Sequence, residues 1–419
     1  MPELELEFIP RKQFRPYLTR DKRWSCIVAH RRAGKTVACI MDLVIRAVEH
    51  KGSDPRFAYI APTYTQAKDV AWTYLKEYTQ AIPGIKYSET ELSVTFPHNQ
   101  SRIRLYGAEN YDRLRGLYLD GVVIDEAGDI DPVAWPQVIR PSLSDRKGWA
   151  TFIGSAKGRN YFHRIHLNAK KDGSWFCGVL KASATGIIDD AELADAKQAM
   201  TPEEYAQEYE CSFDAAIKGA FYGKDVAEAE TEKRIGRVPR DKAADVFCSW
   251  DLGIGDNMAL WVFQIVGREW HFIKYYENSS YGLDHYVDWI KALPYTVHEH
   301  FLPHDAEARE LQTGKSRVAF LEERGLNCTV VPRGNVDDGI SAARQRFNRF
   351  WFDADGCERG IDCLRMYRSE FDEKHGVLKS RPLHDWASHG ADAFRCAVMG
   401  ANDDRATDQI IQPSQNWVI

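Results

Sequence analysis

The sequence predicts an α/β protein of two domains. Its 419 residues exceed what one small domain needs, at roughly 150 residues per domain. Short apolar runs alternate with helical stretches from residue 24 to about residue 214, whereas three strand-like segments follow one another directly from residue 246. The first pattern indicates a wound sheet with helices on its faces, and the second indicates a separate α/β domain.

Four apolar runs in the first region are typical of buried strands, at residues 26–29, 57–61, 122–124 and 149–154. Helices are predicted over residues 36–48 and 65–78. An antiparallel hairpin is predicted from residues 92–96 and 103–106, around the turn Pro97-His98-Asn99-Gln100. We assign residues 1–214 to this first domain.

Residues 215–243 are mostly charged or small and predict a linker. Beyond it, strands are predicted at 246–252, 259–266, 270–276, 300–303 and 328–331, and helices at 283–293, 318–323, near 337–351 and at 385–399. This β-β-β-α-β-α-β-α order is that of a ribonuclease H-like domain, which we assign to residues 244–400. The polar segment 401–419 is predicted to be a flexible tail.

Composition excludes several classes of protein. The chain is 44% hydrophobic and 28% charged, as globular domains are. It has no long uncharged apolar segment and no signal-peptide pattern, so we expect no membrane association and residence where it is made. Nine cysteines without a CxxC pair argue against zinc or a disulfide framework. With a net charge of −6, any nucleic acid must be held by a local basic groove.

The clearest motif is Ala29-His30-Arg31-Arg32-Ala33-Gly34-Lys35-Thr36, which follows a predicted strand and begins a predicted helix. In a GxxxxGK[ST] loop, glycines bring backbone amides to the phosphates, the lysine neutralises phosphate charge and the hydroxyl binds Mg²⁺. Ala29 replaces the first glycine, but Gly34, Lys35 and Thr36 keep the positions that do chemistry. We therefore predict an ATP site, the alternative being an ordinary basic helix N-terminus.

An acidic pair ends another predicted strand, in Gly121-Val122-Val123-Ile124-Asp125-Glu126. Asp125 is predicted to hold Mg²⁺ through water, and Glu126 to polarise the attacking water. Together with the phosphate loop, this pair predicts an ATPase domain of the RecA/ASCE-like P-loop class.

Several polar residues near these motifs are candidates for assisting roles. Arg31 and Arg32 lie inside the loop, where a guanidinium would reach the γ-phosphate. Arg113 and Arg115 are either alternative arginine fingers, acting on a neighbouring subunit, or surface salt bridges. Gln13 is a weaker candidate for reading adenine.

Three aspartates of the second region are candidate metal ligands. Asp251 and Asp305 end predicted strands, and Asp392 lies in the last predicted helix. In a ribonuclease H-like sheet these positions converge on one edge, where oxygen ligands suit two Mg²⁺ or Mn²⁺ ions for phosphodiester hydrolysis. Asp385, two turns before Asp392, is a fourth candidate ligand or support. The alternative for each aspartate is helix capping or turn chemistry.

Two further groups lie in the same segments. Three histidines are interpreted as hydrogen-bonding or packing residues rather than ligands: His304, His384 and His389. Basic and aromatic residues between the acids are either a phosphate-contacting surface or a solvated helix face over an aromatic core: Arg344, Arg346, Phe347, Arg349, Phe350, Trp351, Arg365, Arg368, Lys374, Lys379 and Arg381.

The combination of these motifs resembles the large terminase subunit of tailed bacteriophages, from about residue 10 to residue 400. The matching features are the loop at 30–36, Tyr59-Ile60-Ala61-Pro62-Thr63 with Gln66-Ala67, Asp125-Glu126, Gly154-Ser155, and Asp251, Asp305 and Asp392 with Ala391 and Ala393. The coupling segment after Gly154 lacks the family's more familiar threonine.

The resemblance implies a motor that uses ATP and Mg²⁺ to translocate double-stranded DNA into a procapsid, and that cuts concatemeric DNA with a two-metal endonuclease. The family's ATPase positions fall on Lys35, Thr36, Asp125 and Glu126, its loop arginine on Arg31, and its metal ligands on Asp251, Asp305 and Asp392. The implied partners are the portal protein and the small terminase subunit. The protein would act in the bacterial cytoplasm, as a homo-oligomeric ring on the portal or a monomer in solution.

Two alternatives remain open from the sequence. A superfamily 2 helicase shares the acidic pair, but it requires a second RecA-like domain. A degraded prophage product that serves only as a DNA-binding or assembly scaffold would have lost both activities.

Overall fold

Two units make up the computed structural model, the first ending at Ala216 and the second beginning at Ile217. The structure describes residues 8–214, 217, 219–253, 257–279, 281–308, 315–372 and 377–401. Within these residues no helix is both long and apolar enough to cross a membrane. The predicted tail lies outside the described residues, apart from Ala401.

The first unit is built on one eight-stranded sheet. Its strands are β1 (Trp24–Ala29), β2 (Arg56–Ala61), β3 (Lys86–Ser88), β4 (Ser93–Thr95), β5 (Arg102–Gly107), β6 (Gly121–Ile124), β7 (Trp149–Gly154) and β8 (Trp175–Leu180). The strand order is β3-β4-β5-β2-β6-β7-β1-β8, antiparallel for β3, β4 and β5 and parallel from β5 to β8. The predicted strands and hairpin are therefore confirmed.

Helices cover this sheet: α1 (Arg15–Leu18), α2 (Lys35–Glu49), α3 (Tyr64–Gln66), α4 (Thr73–Thr79), α5 (Arg140–Ser142), α6 (Tyr161–Lys171), α7 (Ala182–Thr185), α8 (Asp190–Ala199) and α9 (Pro202–Glu208). A π-helical segment, Ala67–Trp72, joins α3 to α4. The loops after β1, β2, β6 and β7 leave the carboxyl ends of parallel strands, so they share one edge of the sheet. One strand, β7, separates β1 from β6, as expected for the ASCE class.

A seven-stranded sheet forms the centre of the second unit, in the order β14-β13-β10-β11-β12-β15-β9. Its strands are β9 (Ile235–Gly236), β10 (Val246–Asp251), β11 (Met258–Val266), β12 (Glu269–Asn278), β13 (Glu299–Leu302), β14 (Cys328–Val330) and β15 (Phe350–Asp353); β16 (Ser369–Asp372) and β17 (Val377–Pro382) form a separate hairpin. β10, β11 and β12 are antiparallel, and β13 and β14 run parallel to β10. This is the predicted ribonuclease H-like arrangement.

The helices of the second unit are α10 (Gly223–Thr231), α11 (Leu283–Lys291), α12 (Arg317–Glu323), α13 (Val336–Arg346), α14 (Glu358–Met366) and α15 (Ser388–Gly400). Phe394 of α15 is buried, and its ring packs against those of Trp261, Phe272, Phe350 and Phe352. Aromatic packing therefore fixes the last helix against the sheet.

Two sequence predictions for this unit are wrong in part, and two elements were missed. The predicted linker at 215–243 contains α10 and β9 from Gly223 onward, because Tyr222, Val226 and Ala229 bury their side chains in the core. The helix predicted near 337–351 ends at Arg346, and β15 begins at Phe350 beside β12. Helix α14 and the β16–β17 hairpin were not predicted.

A buried ion pair ties the start of the first unit to its core. Arg20 donates two hydrogen bonds to the carboxylate of Asp42 in α2, at 2.9 and 2.7 Å, and both side chains are almost inaccessible. Tyr17 donates to the same carboxylate at 2.9 Å. Arg46 reaches it from the next turn of α2 at 2.9 Å, but is partly exposed.

Replacing Arg20 with methionine is expected to lower the free energy of unfolding of the first unit by about 3 kcal/mol, because Asp42 would remain buried without its bidentate partner. Arg46→Met removes an exposed partner of the same carboxylate and is expected to cost about 1 kcal/mol or less. Urea unfolding followed by tryptophan fluorescence compares the variants. Equal losses would contradict this account.

Candidate functional site

The predicted phosphate loop lies between β1 and α2. Gly34 has a φ of +97°, in the left-handed region that favours glycine, and α2 begins at Lys35 immediately after it. The first turn of α2 therefore presents free backbone amides, a suitable environment for an anion. His30 is buried, and its imidazole bonds to the hydroxyl of Thr185 at 3.0 Å, which attaches the loop to α7.

Arg11 clamps the loop, a role that the sequence analysis missed. Its guanidinium donates to the carbonyls of Arg32 and Ala33 at 3.0 and 2.8 Å. The arginine stands 21 residues before Arg32, so no local pattern indicates the contact.

A pocket of about 280 Å³ opens beside the clamp, lined by Phe8, Ile9, Arg11, Phe14, Gly34, Val37, Ala38 and Tyr78. It has apolar walls suited to a nucleoside base. Gln13, predicted to read adenine, is not among the lining residues. Its side-chain amide donates instead to the carbonyl of Thr185.

Lys35, Thr36, Asp125 and Glu126 meet at the shared edge of the sheet, as predicted. The Lys35 ammonium lies 3.9 Å from a Glu126 oxygen and donates to the carbonyl of Ala29 at 3.3 Å. Asp125 accepts from the backbone amide of Glu126 at 2.9 Å.

Tyr59 of β2 contacts one of these groups and was not predicted as a site residue. Its hydroxyl donates to the carboxylate of Asp125. Burial and then the adjacent Asp125 charge raise the pKa of Tyr59 well above its ordinary value, so the phenol stays protonated as a donor.

The two acids differ in electrostatic environment. Burial and then the charge of Glu126 raise the pKa of Asp125 to about 6. Burial also acts to raise the pKa of Glu126, but the ammonium groups of Lys157 and Lys35 lower it overall. Lys157 lies 3.5 Å from the Glu126 carboxylate, which also accepts from the hydroxyl of Ser155 at 3.3 Å. Glu126 is thus held ionised.

The backbone at Glu126 is strained. Its φ of +44° falls in the left-handed region, where a β-carbon is disfavoured. Such conformations concentrate at functional sites, where the surrounding structure enforces them.

The candidate arginine fingers lie apart from one another. Arg31 is largely exposed and pairs with Glu208 of α9 at 2.7 Å. Arg32 is also exposed, and its carbonyl takes part in the Arg11 clamp. Arg113 and Arg115 are exposed on or beside the 3₁₀ helix Tyr111–Leu114, and Arg115 pairs with Asp112 at 2.8 Å, the predicted salt-bridge alternative.

In the second unit, Asp251 is the last residue of β10 and Asp392 lies in the first turns of α15. Asp251 bonds to the imidazole of His389 at 2.9 Å. Burial, and then the nearby Asp251 charge, raise the pKa of Asp392 although Arg395 opposes the shift. Through His389, Asp251 thus lies at the first turns of the helix that carries Asp392, so two of the three aspartates predicted to converge lie at the same edge of the sheet.

Asp305 lies near the same edge. It is exposed in the 3₁₀ helix His304–Glu307, just beyond the strand that it was predicted to end. β13, which leads into that helix, pairs with β10, and both Asp251 and Asp305 act electrostatically on the thiol of Cys396, one turn after Asp392.

Two side chains that the sequence analysis missed contact the carboxylate of Asp392. Arg395 pairs with its carboxylate at 3.1 Å, and the Tyr367 hydroxyl donates to it at 3.3 Å. In the described part of the chain, no three histidine, cysteine, aspartate or glutamate side chains lie close enough together to hold one metal ion. Carboxylate oxygens are suitable ligands for Mg²⁺ or Mn²⁺. Among the described residues, however, three such side chains do not surround a common point.

Close packing sets the position of the first turns of α15. The Trp261 indole donates to the carbonyl of Gly390 at 2.8 Å. A β-carbon at Gly390 would lie 2.8 Å from the sulfur of Cys363, so only glycine allows this approach. His389 and Asp392 flank that contact.

Asp385 is not on the helix face where it was predicted. It lies in the turn before α15, where its carboxylate accepts from the backbone amide of Ala387 at 2.9 Å and lies 3.5 Å from Arg368. Turn chemistry, the alternative that the sequence left open, accounts for the bond from Ala387.

The basic and aromatic stretch supports the alternative of a helix face over a core. Phe347 and Phe350 are buried, and Lys374 lies outside the described residues. Five of the basic side chains pair with carboxylates: Arg344, Arg365, Arg368, Lys379 and Arg381. These five side chains therefore do not form a groove of unpaired basic groups.

Comparison with known proteins gives sequence relatives over part of the chain. No family model matches. The chain is 30% identical over 173 residues to the large terminase subunits of Thermus virus P23-45 and Thermus phage G20c, matches that cover 37% of this chain and 35% of each relative. The chain thus matches about a third of the length of these curated relatives. The predicted resemblance to large terminase subunits is confirmed over that part.

Solved structures with a similar arrangement include the large terminase of a thermophilic bacteriophage, with a TM-score of 0.45 and 18% identity over 93% of this chain and 98% of that one. The large terminase of bacteriophage HK97 gives a TM-score of 0.44 and 12% identity over 91% of each chain.

Asp125→Asn is expected to stabilise the metal-free protein at neutral pH. A carboxyl group with a pKa of about 6 when folded and 3.8 when free destabilises the fold as pH rises through that window, by about 3 kcal/mol in full. Asparagine keeps the acceptor for Tyr59 without the charge. The free energy of unfolding of this variant should exceed that of the unchanged chain by an amount that grows with pH and levels off above about pH 7.

Urea unfolding in EDTA from pH 5 to pH 8 measures this advantage. Asp195→Asn, at an exposed position of α8, is the control and should show no such trend. An advantage of Asp125→Asn that does not grow with pH would contradict the burial of an ionised carboxylate.

Proposed function

We propose that this chain is a large terminase subunit, a DNA-packaging ATPase that also cleaves DNA. The observation that carries the proposal is the meeting of Lys35, Thr36, Asp125 and Glu126 at one edge of the first sheet. The second unit adds an acidic pair at a ribonuclease H-like sheet edge. Similarity to large terminase subunits over 173 residues supports joining both activities in one chain.

ATP would bind with its phosphates on the loop amides and on Lys35. The apolar pocket beside Arg11 would take the base, in place of the predicted contact with Gln13. Thr36 lies in the first turn of α2 and Asp125 follows β6, and both offer oxygen donors of the kind that Mg²⁺ prefers. Bound Mg²⁺ would neutralise phosphate charge.

Glu126 would orient and polarise the attacking water, because its lowered pKa keeps it able to accept a proton at neutral pH. Arg31 is the better placed loop arginine for the γ-phosphate, since its guanidinium stands free of the loop backbone and is paired at the surface with Glu208. To act, it would exchange this carboxylate for phosphate. Arg32 would remain the second candidate, and Arg115 a finger toward a neighbouring subunit.

Phosphodiester cleavage would take place at the edge formed by β10 and α15. Asp251, Asp392 and Asp305 would provide oxygen ligands for one or two Mg²⁺ or Mn²⁺ ions, which activate water when bound. His389 would hold the Asp251 carboxylate in orientation, and Arg395 and Tyr367 would do so for Asp392. Asp385 would support the turn before α15 rather than act as a ligand.

The substrate would be double-stranded concatemeric DNA. The portal protein, the small terminase subunit and the procapsid would be partners, with a ring of subunits forming on the portal in the host cytoplasm. Residues 1–214 and 244–400 would be the ATPase and nuclease domains. These assignments follow the family that the sequence resembles.

The helicase alternative requires a second RecA-like sheet. The sheet of the second unit instead contains three consecutive antiparallel strands, β10, β11 and β12, an order that a RecA-like domain lacks. The scaffold alternative differs from the proposal only in activity, so hydrolysis and cleavage decide it.

Lys35→Ala is expected to lower DNA-stimulated ATP hydrolysis at least about a hundredfold, since its charge serves the phosphates. Phosphate release measures the rate. Lys171→Ala, at an exposed position of α6, is the matched control and should retain wild-type turnover. Unchanged turnover in Lys35→Ala would favour the scaffold.

Asp251→Ala is expected to abolish Mn²⁺-dependent nicking of supercoiled plasmid while ATP hydrolysis continues, because its carboxylate lies in the other unit. Asp288→Ala, on the exposed side of α11, should nick normally. Nicking that persists in purified Asp251→Ala would place the cleavage site elsewhere.

A further inference from the structure

The carboxylate of Glu126, the proposed base for the attacking water, lies between two lysines. The Lys35 ammonium is 3.9 Å from its Oε1 oxygen, and the Lys157 ammonium is 3.5 Å from its Oε2 oxygen. The carboxylate is half-buried and both ammonium groups are mostly covered, so solvent screens the two pairs only in part. Each oxygen of Glu126 therefore has its own cation.

The two lysines differ in their other contacts. Lys35 belongs to the phosphate loop and is assigned to the phosphates of ATP, so a bound nucleotide engages its charge. Lys157 lies in the loop after β7 and also contacts the carboxylate of Asp129. The amide of Asp129 donates to the carbonyl of Glu126 at 2.9 Å, so both acids belong to one turn. Lys157 therefore bridges the acids of that turn from outside the phosphate loop.

The loop after β7 holds this turn in two further ways. The amide and the hydroxyl of Ser155 donate to Oε2 of Glu126 at 3.4 and 3.3 Å. The amide of Ala127 donates to the carbonyl of Ile153 at 3.2 Å. Because the backbone at Glu126 is strained, with a φ of +44°, contacts from a neighbouring element are needed to fix the direction of its carboxylate.

We propose that Lys157 is a positioning residue for ATP hydrolysis, which keeps the Glu126 carboxylate in place once Lys35 has engaged the phosphates. The inference rests on the proposed ATPase function and adds a residue to it. Lys35 cannot give its full charge to both the phosphates and Glu126, whereas Lys157 stays with the carboxylate. A base held in one orientation accepts a proton from water with less reorganisation.

Lys157→Met tests this role by separating turnover from binding. DNA-stimulated phosphate release is measured across a range of ATP concentrations. The value of kcat should fall at least about tenfold, the typical worth of one charge-assisted hydrogen bond, because Glu126 loses its orientation. The KM for ATP should stay within about twofold, since the phosphate loop is unchanged. Lys157→Arg keeps the charge and the donors, and should recover kcat to within about threefold.

Lys76→Met is the matched control. Lys76 of α4 also pairs with a carboxylate, that of Glu89 at 2.9 Å, but this pair joins α4 to the β3–β4 turn. The variant should keep the wild-type kcat and KM. A wild-type kcat in Lys157→Met, or a loss that falls on KM instead, would overturn the inference alone. No ATP hydrolysis by the unchanged chain would overturn the proposed function and the inference with it.

A second pair of variants applies if Lys157→Met does not fold. Glu126→Gln removes the charge through which Lys157 acts, so the double variant leaves no carboxylate at position 126 without its cation. Lys157→Met added to Glu126→Gln should lower the residual kcat by less than about twofold, because the two residues act as one unit. A further loss of about tenfold would show that Lys157 acts on another group, and would overturn the inference.

Discussion

The placement of two adjacent carboxylates, the buried Asp125 and the half-buried Glu126, is the constraint on which the first unit depends. A buried charge is tolerated only when donors and counter-charges surround it. Asp125 receives its donor from β2, and Glu126 receives Lys35 from α2 and Lys157 from the loop after β7. Three elements distant in sequence are thereby fixed around the end of β6, and this arrangement creates the proposed nucleotide site.

In the second unit, packing rather than charge positions the carboxylate of Asp392. Phe394 anchors α15 among aromatic rings of the sheet, and Gly390 lets the helix approach the strands closely. Asp392 is carried to the edge occupied by Asp251 as a result. Arg395 and Tyr367 then compensate the carboxylate that this packing buries.

Much of this architecture follows from local sequence pattern. The apolar runs of β1, β2, β6 and β7 and the loop at 30–36 have short-range signatures, so the sheet edge and its four principal residues were predictable. Arg11, Tyr59, Lys157 and Arg395 act through contacts across the fold, and nothing in their own segments indicates those contacts.

The errors have a physical reason as well. Residues 215–243 were predicted as a linker because few apolar residues are needed to attach a short helix to a large core, and Tyr222, Val226 and Ala229 suffice. Around β15, the buried Phe350 and Phe352 alternate with the partly exposed Trp351 and Asp353, as a strand requires, but the predicted helix near 337–351 was extended into this segment.

The backbone conformation of Glu126 has one more implication. Glycine would fit a φ of +44° with less strain, by roughly 1 kcal/mol, yet it would remove the carboxylate. The residue best suited to this backbone conformation and the residue that the proposed hydrolysis requires are therefore different at this position. The chain keeps the carboxylate together with the more strained turn, and Lys35, Lys157 and Ser155 all contact that carboxylate.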